Sequence, residues 1–191
     1  IFTMAANAAS PGTGSWSLIL GTATITNPLV ANTTVTGIAP GTSATVRWTI
    51  SNGICGSTQS DIILTNTAPA PVAAAGADQE NCNSGSFTLA GNAAAPGSGL
   101  WTIIGPANGA SITTPTSNTS GVTGLTAGSS AVLRWTISNG VVCAPTFDEV
   151  TITNLAPAPI ADAGVNIEQC NSSIFTMAAN AASPGTGSWS L

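Results

Sequence analysis

Residues 1–18, IFTMAANAASPGTGSWSL, return letter for letter as residues 174–191. A diverged copy, SFTLAGNAAAPGSGLWTII, occupies residues 86–104. The stretch RWTISNGIC at 47–55 recurs as RWTISNGVVC at 134–143, and TNTAPAPVAAAGADQENC at 65–82 recurs as TNLAPAPIADAGVNIEQC at 153–170. Self-similarity at a fixed period of tens of residues is the signature of stacked structural units. Here the unit spans about 85–88 residues, its phase is marked by Trp16, Trp101 and Trp189, and the identical ends lie two units apart. The chain reads as a window on a tandem array, with residue 1 falling inside a module. Boundaries follow from the APAP segments at 68–71 and 156–159, where Pro69, Pro71, Pro157 and Pro159 favour extended backbone and exclude helix. Residues 1–68 read as a module lacking its first strand, 69–155 as a complete one, and 156–191 as the first strands of a third.

Val, Ile and Thr alternate while good helix formers are scarce, so each module reads as all-β. Gly, Pro, Asn and Ser turns split the complete module into seven strands, near 71–78, 86–92, 99–104, 109–114, 119–124, 131–138 and 147–154. This is the count of an immunoglobulin-like sandwich. In AVLRWTIS, Val132, Arg134 and Thr136 share one face while Leu133, Trp135 and Ile137 share the other, which must point inward. The tryptophans Trp16, Trp48, Trp101, Trp135 and Trp189 are assigned to cores, two per module on strands of opposite sheets; a carbohydrate-stacking platform is the competing reading.

Cys55 and Cys143 follow the RWTIS strand, and Cys82 and Cys170 precede the FT strand. Four cysteines allow three pairings. The repeat favours Cys82 with Cys143 inside the complete module, leaving Cys55 and Cys170 to partners outside the window. Such a bond implies an oxidising compartment. Without histidine or a close cysteine pair, zinc has no ligand set. No cofactor is expected; calcium at the junctions would have to use Asp78, Glu80, Asp162 and Glu168, but Asp162 aligns with Ala74 and Asp78 with Asn166, so the site would change ligands from module to module.

The only cations are Arg47 and Arg134, each directly before a tryptophan and on the outward face. Aligning SDIILTN with FDEVTITN predicts the surface ion pairs Arg47–Asp61 and Arg134–Glu149, which act on register more than on stability. The alternative is an arginine that reads a ligand. With a net charge of −5 and no lysine, the chain cannot make the basic footprint that nucleic acid requires. Nor can it form a lysine–asparagine isopeptide lock. No apolar run of about 20 residues is present to span a bilayer, and a secretion signal would lie outside these residues. No histidine, nucleophile elbow or matched carboxylate pair supports an enzyme. Threonine-based ice binding needs a regular array, which ITTPTSNTSGVTGLT interrupts with Pro and Gly.

The order AGADQ, C, FTLAGNAAAPGSGLWTI, GVTGLTAGSSAVLRWTISNGVVC, DEVTIT over residues 75–153 resembles the PKD-like and immunoglobulin-like repeats of giant Bacteroidetes surface proteins exported by the type IX system, gliding adhesins among them. The WDFGDG-type motif of true PKD domains is missing. The resemblance implies an extracellular, cell-surface filament or adhesin stalk acting as a stiff passive spacer for adhesion or gliding. Its partners are neighbouring copies of the same module, with any surface ligand held at a distal tip, and it has no family active site. The alternative is a polymer of separate subunits joined by strand exchange.

Overall fold

Alternation becomes structure most plainly in the RWTIS strands. A computed structural model describes residues 1–191. In β12 (Ser129–Ser138), Ala131, Leu133, Trp135 and Ile137 are buried, while Val132, Arg134 and Thr136 alternate with them on the outer face. The same parity governs β5 (Thr42–Ser51), where Ala44, Val46 and Trp48 point inward. The chain groups into two compact units: Ile1–Val72 with Ala94–Ser98 and Ile137–Thr146, and Ala73–Ala93 with Gly99–Thr136 and Phe147–Leu191.

In the first unit, β5 is the centre of an antiparallel sheet, with β2 (Thr13–Leu20) on one side and β6 (Ser57–Asn66) on the other. A second sheet has the order β1 (Phe2–Thr3), β4 (Thr34–Thr36), β3 (Thr24–Ile25). Met4, Trp16, Val35, Ile38, Ala44, Val46, Trp48 and Leu64 form the core.

The remaining strands, most of whose residues lie in the second unit, are in chain order β7 (Gln79–Cys82), β8 (Phe87–Thr88), β9 (Ser98–Ile104), β10 (Ser111–Ile112), β11 (Gly121–Thr123), β12, and β13 (Thr146–Leu155). They make a four-stranded sheet β7-β13-β12-β9 and a three-stranded sheet β10-β11-β8. Seven strands in this order form an immunoglobulin-like sandwich. The protein is all-β, and none of its elements is a helix long and apolar enough to cross a membrane.

Two expectations need correcting. The paired tryptophans share a sheet: Trp16 on β2 stands directly opposite Trp48 on β5, with ring centroids 5.1 Å apart, and Trp101 on β9 lies 5.0 Å from Trp135 on β12. Side-chain parity shows that a residue faces inward but not which sheet carries it. Trp189 is 54% exposed, residues 156–191 holding no counterpart of β12 against which it could pack. The first strand forms its ladder at 79–82 instead of 71–78. Pro69 and Pro71 lack N–H donors, and Gly76, at φ +90°, turns the chain before the ladder begins.

The tryptophan pairs explain two glycines. A Cβ at Gly14 or Gly99 would collide with the six-membered ring of Trp48 or Trp135 respectively, so the small residue in GTGSW and GSGLW makes room for the indole. Trp16 Nε1 donates to Ala31 O at 3.2 Å and Trp101 Nε1 to Asn118 O at 3.4 Å, while Trp48 Nε1 and Trp135 Nε1 are buried without a partner. An unpaired buried donor costs about 1–3 kcal/mol, which the aromatic pair and its buried area must offset.

Candidate functional site: the first-strand groove

Polar side chains gather where the first strand meets the rest of the second unit. Ala73 and Ala75 are buried at 6% and 1% exposure. Ala75 N donates to Asp148 Oδ2 at 2.8 Å and Ala74 N to Asn92 Oδ1 at 2.9 Å, while Asn92 N returns a bond to Ala74 O at 3.0 Å. Beyond Gly76, Asp78 Oδ1 accepts from Thr151 N at 2.8 Å. Then β7 runs parallel to β13 with Gln79, Glu80, Asn81 and Cys82 opposite Ile152, Thr153, Asn154 and Leu155. Asn154, 2% exposed, closes the end: its Oδ1 accepts from Ser84 N at 2.9 Å and its Nδ2 donates to Leu125 O at 2.8 Å. Side chains thus hold the segment where prolines and Gly76 prevent a ladder.

The first unit has the groove without the strand, since residues 1–66 contain no counterpart of 72–84. Its lining includes Phe2, Met4, Trp48, Asp61, Ile62 and Leu64. Ile62 is 44% exposed, whereas its counterpart Val150 is 1% exposed. Asn7, the counterpart of Asn92, is exposed, and its amide is recorded donating to Ala8 O at 3.4 Å. Asn66 Nδ2 donates to Ile38 O at 2.8 Å, repeating the Asn154–Leu125 bond. In residues 156–191 the Asn92 clamp appears a second time: Asp162 N donates to Asn180 Oδ1 at 2.8 Å, and Asn180 N to Asp162 O at 3.1 Å. There it encloses no core, and Ile160 and Val165 are 92% and 88% exposed. Sequence reasoning missed these clamps. Their signal was the asparagine five residues after each FT phenylalanine, at Asn7, Asn92 and Asn180.

The arginines sit on the outer faces. Arg47 Nε donates to Asp61 Oδ1 at 2.6 Å and its Nη2 to Asp61 Oδ2 at 2.8 Å, across the register pair Arg47↔Asp61. This bidentate bond lowers the Asp61 pKa and raises that of Arg47. Arg134 Nε and Nη2 both donate to Glu149 Oε1, at 2.9 and 2.6 Å, and the guanidinium lies 4.3 Å from the Phe147 ring centroid, a cation–π contact the sequence reading lacked.

All four cysteines are free thiols, so the expected Cys82–Cys143 bond is corrected. Parallel pairing is the reason: Cys82 lies opposite Leu155, the last residue of β13, while Cys143 precedes Thr146, the first. The length of β13, roughly 30 Å at about 3.3 Å per residue, separates them, and a disulfide needs Cα atoms within about 7 Å. In the first unit, Cys143 Sγ touches Ala68 O at 3.5 Å and Thr67 O at 3.7 Å. Cys55 and Cys170 are exposed. No group of three or more His, Cys, Asp or Glu side chains could hold a metal ion. Asp78 accepts from the Thr151 N–H and Asp162 Oδ1 from Gly164 N at 2.9 Å.

Fold and site together define an immunoglobulin-like β-sandwich protein whose polar chemistry is concentrated in docking its first strand. No protein-family model matches the chain, and no curated protein matches it. Among solved structures it is similar to a SusE-like surface-located polysaccharide-binding protein from the heparin utilisation locus of Bacteroides thetaiotaomicron, at 16% identity over 78% of this chain and 30% of that one, TM-score 0.35. It is also similar to protocadherin gammaB7 EC3-6 in its cis-dimer, at 14% identity over 88% and 48%, TM-score 0.39. A chimeric titin Z1Z2 functionalised with a KLER peptide from decorin matches at 10% identity over 78% and 83%, TM-score 0.30. The chain spans less than half the length of the first two.

Proposed function

We propose that the chain is a segment of a long extracellular filament or adhesin stalk, a stiff passive spacer for surface adhesion or gliding. In this reading modules with the boundaries 1–68, 69–155 and 156–191 follow one another head to tail, and the APAP segments keep each junction extended. The type IX-exported surface repeats are the kind of protein it would belong to. One observation carries the reading: the polar groups that could have made a site are spent on architecture. Both arginines are in ion pairs, and Asp61, Asp78, Asp148, Glu149 and Asp162 each bond an arginine or a backbone N–H. The role is accordingly structural and not catalytic.

The test has two parts. Antibodies raised against residues 73–155 should label intact cells of the source organism, and electron micrographs of the native polypeptide should show rods with a preferred angle between successive modules. Beads jointed freely at APAP would refute the stiff spacer, and labelling only after lysis would refute the location.

A further inference from the structure

We infer that the loop joining β12 to β13 is a clamp on the linker at residues 67–71: Asn139, Cys143 and Thr146 grip the linker carbonyls, and this grip, more than the prolines, holds the linker in one conformation. The inference deepens the spacer reading and rests on it, since it names what makes the junction stiff.

The need for a clamp follows from the sequence TAPAP at 67–71. Ala68 and Ala70, each directly before a proline, are biased toward extended backbone. The proline rings fix their own φ at about −65° but leave ψ to choose between extended and helical values, and a change of ψ swings the chain that follows. Pro69 and Pro71 also lack N–H donors, so they cannot lock the linker into a ladder. What remains to hold is the carbonyl groups, whose directions are set by ψ. A donor bound to a linker carbonyl therefore restrains the torsion that proline leaves loose.

The loop supplies those donors at both ends of the proline segment. Asn139 Nδ2 donates to Ala68 O at 2.7 Å, and Thr146 Oγ1 donates to Pro71 O at 2.6 Å. The Cys143 thiol, a weak donor, is shared between Ala68 O at 3.5 Å and Thr67 O at 3.7 Å. Gly140, at φ +71°, turns the loop so that the place of its missing Cβ lies 3.8 Å from Thr67 Cγ2. Residues 137–146 group with residues 1–72, the linker among them. Asn139, Cys143 and Thr146 are half-buried, whereas Val141 and Val142 between them are 102% and 77% exposed. The loop thus turns its polar side chains to the linker and leaves its apolar ones in water, the reverse of what apolar burial alone would dictate.

The internal repeat keeps the parts that the clamp uses. Asn52, Cys55 and Thr58 stand where Asn139, Cys143 and Thr146 do, while the residues between them differ: Ile54 answers to Val141 and Val142, and Gly56 and Ser57 to Ala144 and Pro145. On the acceptor side TNTAPAP recurs as TNLAPAP, with Leu155 in the place of Thr67. The thiol meets only the backbone carbonyl of Thr67, so that side chain is free to change.

The test is backbone amide relaxation on the isotopically labelled full chain, read at Ala68, Ala70 and Val72. Their order parameters should match those of β5 and β12, about 0.85 as in rigid backbone, and should fall below about 0.6 in Asn139→Ala/Thr146→Val while β5 and β12 are unchanged. Asn139→Asp, which sets a carboxylate oxygen against Ala68 O in place of the donor, should loosen Ala68 by itself. Pro69→Ala/Pro71→Ala should lower the order parameters by less than about 0.1, because the clamp binds carbonyls and no ring atom. Circular dichroism confirms that each variant is folded. A linker already mobile in the unaltered chain, linker order that survives either clamp variant, or a larger loss in the proline variant than in the clamp variants each overturns the inference. An ordered linker indifferent to the clamp variants would leave the stiff spacer standing, whereas freely jointed beads in micrographs would refute the spacer and leave a clamp-dependent linker order as it was measured.

Discussion

Replacing Gly99 by alanine tests whether the tryptophan pair dictates the local sequence. The added methyl would fall on the six-membered ring of Trp135, which is 1% exposed, packed at a tilt against Trp101, and flanked on another side by Gly91, where a Cβ would lie 3.1 Å from the indole. The ring has nowhere to retreat. Overpacking a core costs about 1–3 kcal/mol, and this clash belongs near the top of that range; alanine returns about 0.5–1 kcal/mol of backbone entropy. The net cost is about 2–2.5 kcal/mol, or roughly 8–20 °C in Tm for a sandwich of this size. Trp135→Phe removes the indole atoms that collide, at a cost of its own in lost packing. The double variant should therefore be more stable than the sum of the two singles predicts, by at least about 1 kcal/mol. Thermal and urea unfolding followed by far-ultraviolet circular dichroism measures all four species. Additivity within about 0.5 kcal/mol would mean that the two positions do not collide, and would refute the packing argument.

Asn154→Ala removes two buried hydrogen bonds and strands Ser84 N and Leu125 O, so it should cost about 2–4 kcal/mol in urea unfolding; Asn66→Ala, which lacks the Ser84 counterpart, should cost about half as much. Glu149→Gln should change stability by no more than about 1 kcal/mol, because the pair with Arg134 is surface-exposed, and high salt should shrink the difference further. The Asp61 pKa is lowered in the folded state, so its ion pair stabilises above the unfolded-state value and that contribution is lost as pH falls through the folded one. A pH titration of unfolding should show an acid-side loss that is smaller in Asp61→Asn, and identical profiles would remove Arg47 as the cause.

Sandwich architecture was legible because period-two alternation is local: AVLRWTIS reveals its buried face without reference to any other strand. So were the ion pairs, since matching SDIILTN to FDEVTITN fixes which carboxylate stands beside each arginine. Relations between strands distant in sequence were less so. Trp101 and Trp135 were assigned to opposite sheets because parity does not say which strands pair. The Cys82–Cys143 expectation failed on strand direction, since a repeat period is the same whether the first strand runs parallel or antiparallel to the last. The groove escaped notice because its clamps are single side chains, Asp148, Asn92 and Asp78, acting on a segment whose prolines resemble a plain linker.

Parallel pairing of β7 with β13 also decides how the second unit carries tension. Chain enters through the start of β7 and leaves through the end of β13, so a pull on the two ends draws these neighbours in opposite directions along their common axis. Their hydrogen bonds are then loaded together, in shear, instead of one after another as in a hairpin opened from its tip. Rupture requires the four-residue ladder, the Asp148 and Asp78 clamps and the Asn154 bonds to yield at once. Single-molecule stretching should accordingly find a high peak force for residues 73–155 when pulled end to end, and a much lower one when the handles are moved to peel β7 from the edge of its sheet.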